Sequence, residues 1–349
     1  MSRSERAARR WALGALAVAL LLLPLSPNAY VVTVVTLAAM SAALASAWNI
    51  VGGYAGLLSV GDAAYFGIGA YVMGLLWLKA GVSPTVGLLL GALTSMVFGL
   101  IVGTLGFKSG LRGIYFAVAT LAVSEIVRMV ALSLDVIGGN MGLEIPYVSS
   151  PRHLLFRSEI PAYYLILGFL ALVVLISARI RRSRLGYVLM AVREREAAAE
   201  ALGVDTFRCK MTAVAISAFL VGLGGGLYAL YSHYLNPTFY FSLDVVVKMI
   251  LGTILGGKGT VLGPVLGAAT LSGLEEGIQF IPLATARAAS LSRIVYAALI
   301  IVVVLFMPRG IVDLARRGRW RRPVAALDAP VEERLTAPVQ RTTDEHTLR

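Results

Sequence analysis

Apolar residues run in long blocks over most of this chain, and polar residues interrupt them only in short clusters. The blocks fall at about 12–29, 31–51, 55–78, 86–107, 114–134, 162–178, 211–232, 244–257, 260–280 and 292–308. Crossing a hydrocarbon core of about 30 Å takes about 20 residues of helix, close to the length of most of these blocks. A bilayer offers no water to open backbone groups, so each block is predicted to be helical. The pattern predicts an all-α polytopic membrane protein with about ten transmembrane or re-entrant helices. Segment 244–257 is the short one: it makes about 20 Å of helix, which predicts a tilted or broken, re-entrant element. The alternating ten-residue segments of a membrane barrel do not occur.

One stretch departs from the pattern. Gly186 to Gly203, GYVLMAVREREAAAEALG, is charged and rich in strong helix formers, yet it lies between apolar blocks. A polytopic protein has no folding need for such a helix, and its alternating Arg and Glu beside an Ala run suit the docking of a soluble partner. A loop that merely connects two spans is the plainer alternative.

Composition agrees with the blocks: 58% of residues are hydrophobic, 14% are charged and the mean hydropathy is +0.80. The net charge of +12 would suit a nucleic-acid binder, but its distribution gives it another meaning. With the N-terminus inside, the inner segments hold 24 of the 31 Lys and Arg, and the outer ones hold only Lys79, Arg152, Arg157, Arg287 and Arg293. This asymmetry predicts N-in, C-in topology and accounts for the basic composition without nucleic acid. The predicted organisation is a basic cytoplasmic N-terminus at 1–11, a membrane domain at 12–308 with a cytoplasmic loop at 179–210, and a basic cytoplasmic tail at 309–349 whose end is disordered. Basic residues from Arg3 to Arg10 before an apolar run resemble a secretory signal, but no clear small-x-small cleavage site follows, so an uncleaved first helix is predicted. The lone Cys209 excludes an internal disulfide, and no spacing of His or Cys suggests a metal site.

The glycines recur four apart within the blocks, as at Gly87 and Gly91, Gly222 and Gly226, and Gly273 and Gly277. That spacing lets helix backbones approach closely. Where glycines meet polar residues, unwound backbone beside a cavity becomes the sharper reading. Two places qualify. The first runs from Asn49 through Gly52, Gly53, Gly56 and Ser59 to Asp62, a carboxyl that is costly at membrane depth unless paired or hydrated. The second is Gly256-Gly257-Lys258-Gly259-Thr260, followed by Gly263 and Pro264. Glu125 and Arg128, three apart in block 114–134, can meet on one helix face, as a functional pair or a structural one. Thr120 lies nearer the middle of that block.

These residues carry a family resemblance. The stretches NIVGGYAGLLSVGDAAYFGIGAY (49–71), GIYFAVATLAVSEIVR (113–128), GGNMGL (138–143), AVREREAAAEALGVD (191–205), YLNPTFYF (234–241) and GGKGTVLGPVLGA (256–268) resemble the LivM-type permeases of bacterial branched-chain amino acid ABC transporters. Each motif is weak alone; their order and spacing over about residues 45–310 make the likeness specific.

The resemblance implies a multi-pass subunit of the bacterial cytoplasmic (inner) membrane. Its partners would be a LivH-like second permease, two cytoplasmic ABC ATPases and an extracytoplasmic substrate-binding protein. It would carry no cofactor, with ATP and Mg held by the partner ATPases. No GxxxxGK[ST] phosphate loop occurs in the chain. Importers of this kind present a coupling helix with an EAA-then-Gly pattern. Here Glu196-Ala197-Ala198 precedes Gly203 one residue later than the commonest spacing. Arg193, Glu194, Glu196, Ala197, Ala198, Glu200 and Gly203 are the expected ATPase-coupling residues. Asn49, Ser59, Asp62, Thr120, Glu125, Arg128, Gly256, Gly257 and Gly259 are the expected lining of the solute path. Asp135, Asn140, Glu144, Arg152 and Arg157, in the predicted outer loop, are the expected docking points for a binding protein. Two alternatives stay open: a permease of the same class for urea, short amides or another small organic solute, and a stand-alone ion-coupled transporter using Asp62, Glu125 and Arg128.

Overall fold

The computed structural model describes residues 20–25, 28–145, 159–279 and 310–311. The blocks predicted at 292–308 and over most of 12–29 lie outside the described residues, as do Arg152, Arg157, the terminus at 1–11 and nearly all of the tail. The described helices are α1 Ala29–Asn49, α2 Asp62–Ala80, α3 Pro84–Lys108, α4 Ile114–Ser133, α5 Glu159–Arg182, α6 Arg184–Glu194, α7 Glu196–Ala201, α8 Thr206–Ser232, α9 Pro237–Tyr240, α10 Leu243–Gly256 and α11 Gly263–Gln279. Seven helical stretches among the described residues are long and apolar enough to cross a membrane, the seventh being α9 and α10 taken together as Pro237–Gly256. The chain is thus a polytopic helical membrane protein.

Most boundaries follow local chemistry. Pro84 opens α3, where its missing N–H costs nothing. Gly81, at φ +64°, closes α2 in the left-handed conformation that glycine adopts without strain. Asp205 caps α8, its carboxylate accepting the Arg208 amide at 2.9 Å, so α8 starts five residues before the predicted block at 211.

The block expected as one helix from 55 to 78 needs correction. α1 continues past Asn49 into a wider π-turn at Ile50–Tyr54, residues 55–61 are unwound, and α2 begins only at Asp62. Apolar content alone could not show this, because the unwound backbone finds its partners in side chains. The Trp48 indole donates to the Ser59 carbonyl at 2.9 Å, and Thr120 accepts the Val60 amide at 3.1 Å. Segment 244–257 is the broken element expected: α10 is 14 residues long and follows the single turn of α9 after a kink at Phe241–Ser242.

α2, α3 and α8 form the tightest part of the bundle, and α1 packs against α5, α8, α10 and α11. Glycine faces bring the backbones together. A Cβ added to Gly69 would stand 2.0 Å from the Gly222 carbonyl oxygen, and one on Gly225 would stand 2.0 Å from that of Phe66. α10 and α11 form a similar hairpin, in which a Cβ on Gly256 would meet the Gly263 carbonyl at 1.7 Å. Opposite the basic end, Leu143–Glu144 pairs antiparallel with Tyr234–Leu235. This short ribbon ties the segment after α4 to the segment after α8, and the Tyr234 hydroxyl adds a bond to the Met141 carbonyl at 2.5 Å.

Candidate coupling site

The charged stretch between α5 and α8 folds as two short helices. The Ser183 hydroxyl caps α6, accepting the Gly186 amide at 3.4 Å. Arg195 is extended (φ −152°, ψ 97°) and separates α6 from α7, so the helix expected within Gly186 to Gly203 is bent at its centre. Past the end of α7, Gly203 takes φ +82°. Its amide donates to the Glu200 carbonyl at 2.9 Å, and the Val204 amide donates to that of Ala199 at 3.1 Å. These two bonds satisfy carbonyls that the helix end would otherwise leave open.

The expected coupling residues divide into two sets. Glu196 turns inward and forms an ion pair with Lys210, whose ammonium also lies 5.5 Å from the Phe107 ring centroid. Glu200 is exposed but accepts the Thr206 hydroxyl at 2.7 Å. Arg193 also turns inward. What α7 and the two residues after it show to solvent is Ala197, Ala198, Glu200, Ala201, Leu202 and Gly203, bordered by Glu194 and Arg195. Leu202 is 86% exposed. It holds the position where the commoner motif has its glycine, and a lone leucine between Ala201 and Gly203 is the sequence signal for an apolar docking point. Lys210 escapes sequence reasoning because it sits at the mouth of an apolar block, where a basic residue reads as topology.

Arg193 Nη1 donates to the Gly53 carbonyl, in the π-turn, at 2.8 Å. Its aliphatic stem fills the space beside Gly56, where a Cβ would stand 2.3 Å from Arg193 Cγ. A Cβ on Gly259 would stand 2.7 Å from Nη1. Asn49, fully buried, completes the junction: its Oδ1 accepts the Gly259 amide at 2.8 Å, and its Nδ2 donates to the Thr260 carbonyl at 2.9 Å. Thr260 in turn accepts the Gly263 amide at 3.0 Å at the start of α11. The two glycine-broken places therefore meet. Asn49 and Gly259 form one junction with Arg193, and Gly256 and Gly257 lie beside it against the start of α11.

Ser59, Asp62 and Thr120 gather at a second place. Asp62 is fully buried, and its Oδ2 accepts the Ser59 hydroxyl at 2.5 Å, whereas Oδ1 has no hydrogen-bond partner among the described residues. The neighbouring Ser217 hydroxyl donates to the Ala47 carbonyl at 3.0 Å. Thr120 donates to its own helix at the Ala117 carbonyl, 2.9 Å, while accepting from Val60. Glu125 and Arg128 do not join this group. They pair with each other, Arg128 Nε lying 3.0 and 2.9 Å from the two carboxylate oxygens, on a partly exposed flank of α4. Asp135, Asn140 and Glu144 are exposed beside the short ribbon, at the opposite end of the molecule from α7.

Comparison with known proteins bears on what this arrangement serves. Residues 12–304 match a family model described as the permease component of branched-chain amino acid transport systems. The high-affinity branched-chain amino acid transport system permease protein LivM of Salmonella typhimurium is 29% identical over 297 residues, covering 77% of this chain and 66% of that protein. LivM of Escherichia coli K12 is 29% identical over 320 residues, covering 82% of this chain and 70% of the relative. The permease protein LivH of the same bacterium is 32% identical over 146 residues, 42% of this chain and 45% of that one. The chain thus spans about two thirds of the length of its LivM relatives. No solved structure matches.

Proposed function

This chain belongs to the family of permease components of branched-chain amino acid transport systems, and we propose on that footing that it is the membrane-spanning subunit of an ATP-driven importer of leucine, isoleucine or valine. The family match over residues 12–304 carries this reading. Two further features support it. The sequence offers no GxxxxGK[ST] loop to hold a nucleotide, and on this reading ATP and Mg are bound by other chains. And α7 presents a small apolar face with a projecting leucine at the basic, cytoplasmic end, a form suited to a groove on a soluble ATPase.

The partners on this reading are two cytoplasmic ATPases, a LivH-like permease beside this chain in the bacterial inner membrane, and an extracytoplasmic binding protein. Asp135, Asn140 and Glu144 offer that protein an exposed polar edge held by the ribbon. ATP binding would close the ATPase pair, α6 and α7 would follow, and the spans would re-orient around the solute. No bond in the solute is made or broken by this chain.

Co-purification with the ATPase tests the docking face. Leu202→Glu places a charge where an apolar contact is expected, and the fraction of ATPase retained should fall about tenfold, equivalent to about 1.4 kcal/mol. Lys79→Gln, at the far end of α2, is the control and should leave retention at the wild-type level. Equal retention by Leu202→Glu and wild type would remove α7 as the docking element.

A further inference from the structure

Arg193 is the side chain through which α6 grips the π-turn, while the Glu196–Lys210 ion pair ties α7 to α8. Three glycines from two separate segments surround its contacts. Gly56 leaves room for its stem, Gly259 leaves room for Nη1, and Gly53 supplies the carbonyl that Nη1 holds at 2.8 Å. Any side chain on Gly56 or Gly259 would strike the arginine. A side chain on Gly53 would strike Asn49 Oδ1 at 1.8 Å and the Gly259 amide nitrogen at 2.7 Å. The guanidinium also has an outer edge, where Nε and Nη2 donate to Glu194 Oε1 at 3.2 and 2.6 Å. One planar fork therefore engages the solvent-facing helix pair on one side and the π-turn on the other.

What lies beyond the socket matters as much. Gly53 belongs to the π-turn that ends α1. Gly259 belongs to the turn between α10 and α11, and Asn49 bonds both Gly259 and Thr260. A displacement of Arg193 would thus act on the ends of three helices together. The segments it holds are those where regular helix gives way: the π-turn with its unwound continuation at 55–61, and the left-handed glycines Gly257 and Gly259, at φ +119° and +76°. Irregular backbone of this kind can change shape at less cost than a closed helix.

We propose that Arg193 is the positioning residue that passes movement of the partner-facing helices to the two glycine-broken segments, rather than a contact for the partner itself. This rests on the function proposed above. The role requires arginine: a lysine ammonium offers a point charge that cannot span Gly53 and Glu194 with one rigid fork.

The test is uptake per ATP hydrolysed, measured in proteoliposomes that hold the full chain, the second permease, the ATPases and the binding protein. Arg193→Gln and Arg193→Lys should still yield assembled complexes that hydrolyse ATP, while uptake per ATP falls about tenfold, within the range usual for coupling between sites. Gly259→Ala pushes a methyl group at Arg193 Nη1 without replacing any residue of α6 or α7, and it should lower the same ratio; should the arginine variants fail to accumulate, a wild-type ratio in Gly259→Ala still overturns the proposal. A wild-type ratio in any of these variants that assembles overturns the proposal. Absence of ATP-dependent uptake by the wild-type complex would instead overturn the function on which it rests.

Discussion

Gly69→Ala should collapse the centre of the bundle. A methyl group there would lie 2.0 Å from the Gly222 carbonyl oxygen, 2.5 Å from its carbon and 2.6 Å from its Cα. All three are backbone atoms, so no rotamer change relieves the overlap, and α2 and α8 must separate. The same interface also includes Gly225 against the Phe66 carbonyl and Gly91 against the carbonyl of Gly69 itself, at 2.5 Å for an added Cβ. Separation at one point therefore loosens the packing of three helices. Overpacking costs about 1–3 kcal/mol where side chains can yield; with backbone on both sides the upper end applies, and valine should prevent accumulation of folded protein. Gly273→Ala is the matched control. It stands four residues from Gly277, the spacing that marks close packing at Gly222 and Gly226, yet a Cβ there meets nothing within 4 Å among the described residues. Heating in detergent followed by size-exclusion chromatography should show a clearly lowered midpoint for Gly69→Ala and an unchanged one for Gly273→Ala. Equal midpoints would refute the packing account.

The second large effect is expected at Asn49. Leucine has the same number and branching of side-chain heavy atoms but can neither accept from the Gly259 amide nor donate to the Thr260 carbonyl. Both backbone groups lose their side-chain partner at a position with no solvent exposure. Leaving a buried polar group unsatisfied costs roughly 1–3 kcal/mol, so Asn49→Leu should cost at least that at the buried Gly259 amide, with a smaller addition at the partly exposed Thr260. The damage should also appear in function, because this side chain joins the end of α1 to the turn between α10 and α11. Uptake should fall further than folded yield does. Ser217→Ala is the comparison: it removes one buried hydroxyl bond to the Ala47 carbonyl, and should cost only about 1 kcal/mol. Matching losses at Asn49 and Ser217 would show that the junction carries no special weight.

These two sites mark where sequence reading works and where it stops. Helical blocks are legible because apolar runs in a bilayer have one structural outcome; the block at 86–107 is α3 at Pro84–Lys108, and that at 114–134 is α4 at Ile114–Ser133. Glycines four apart mark close packing, but spacing cannot distinguish Gly222, pressed against Ser95, from Gly273, which meets nothing among the described residues. The unwound stretch at 55–61 announces itself in glycines set among Asn49, Ser59 and Asp62, but its limits and partners do not. Its backbone is satisfied by Trp48 and Thr120, and the Thr120 contact crosses 60 positions of sequence.

The junction is half legible. Asn49 and the glycines at 256–259 stand out separately, as polar or broken positions at membrane depth. Their meeting depends on contacts 210 and 211 residues apart, which no local pattern encodes. Arg193 stands out in the right stretch of chain, but only as one charge among several on a docking helix. Its inward direction follows from the bend at Arg195 and the socket beside Gly56, both of which are tertiary facts.

Energy-coupled uptake tests the central claim most directly. Proteoliposomes holding this chain with its permease, ATPase and binding-protein partners should accumulate radiolabelled leucine, isoleucine or valine only when ATP and Mg are present on the ATPase side. Ionophores that collapse proton and sodium gradients should leave that accumulation intact. Uptake by this chain alone, driven by an ion gradient and indifferent to ATP, would contradict the account and make it an ion-coupled transporter instead.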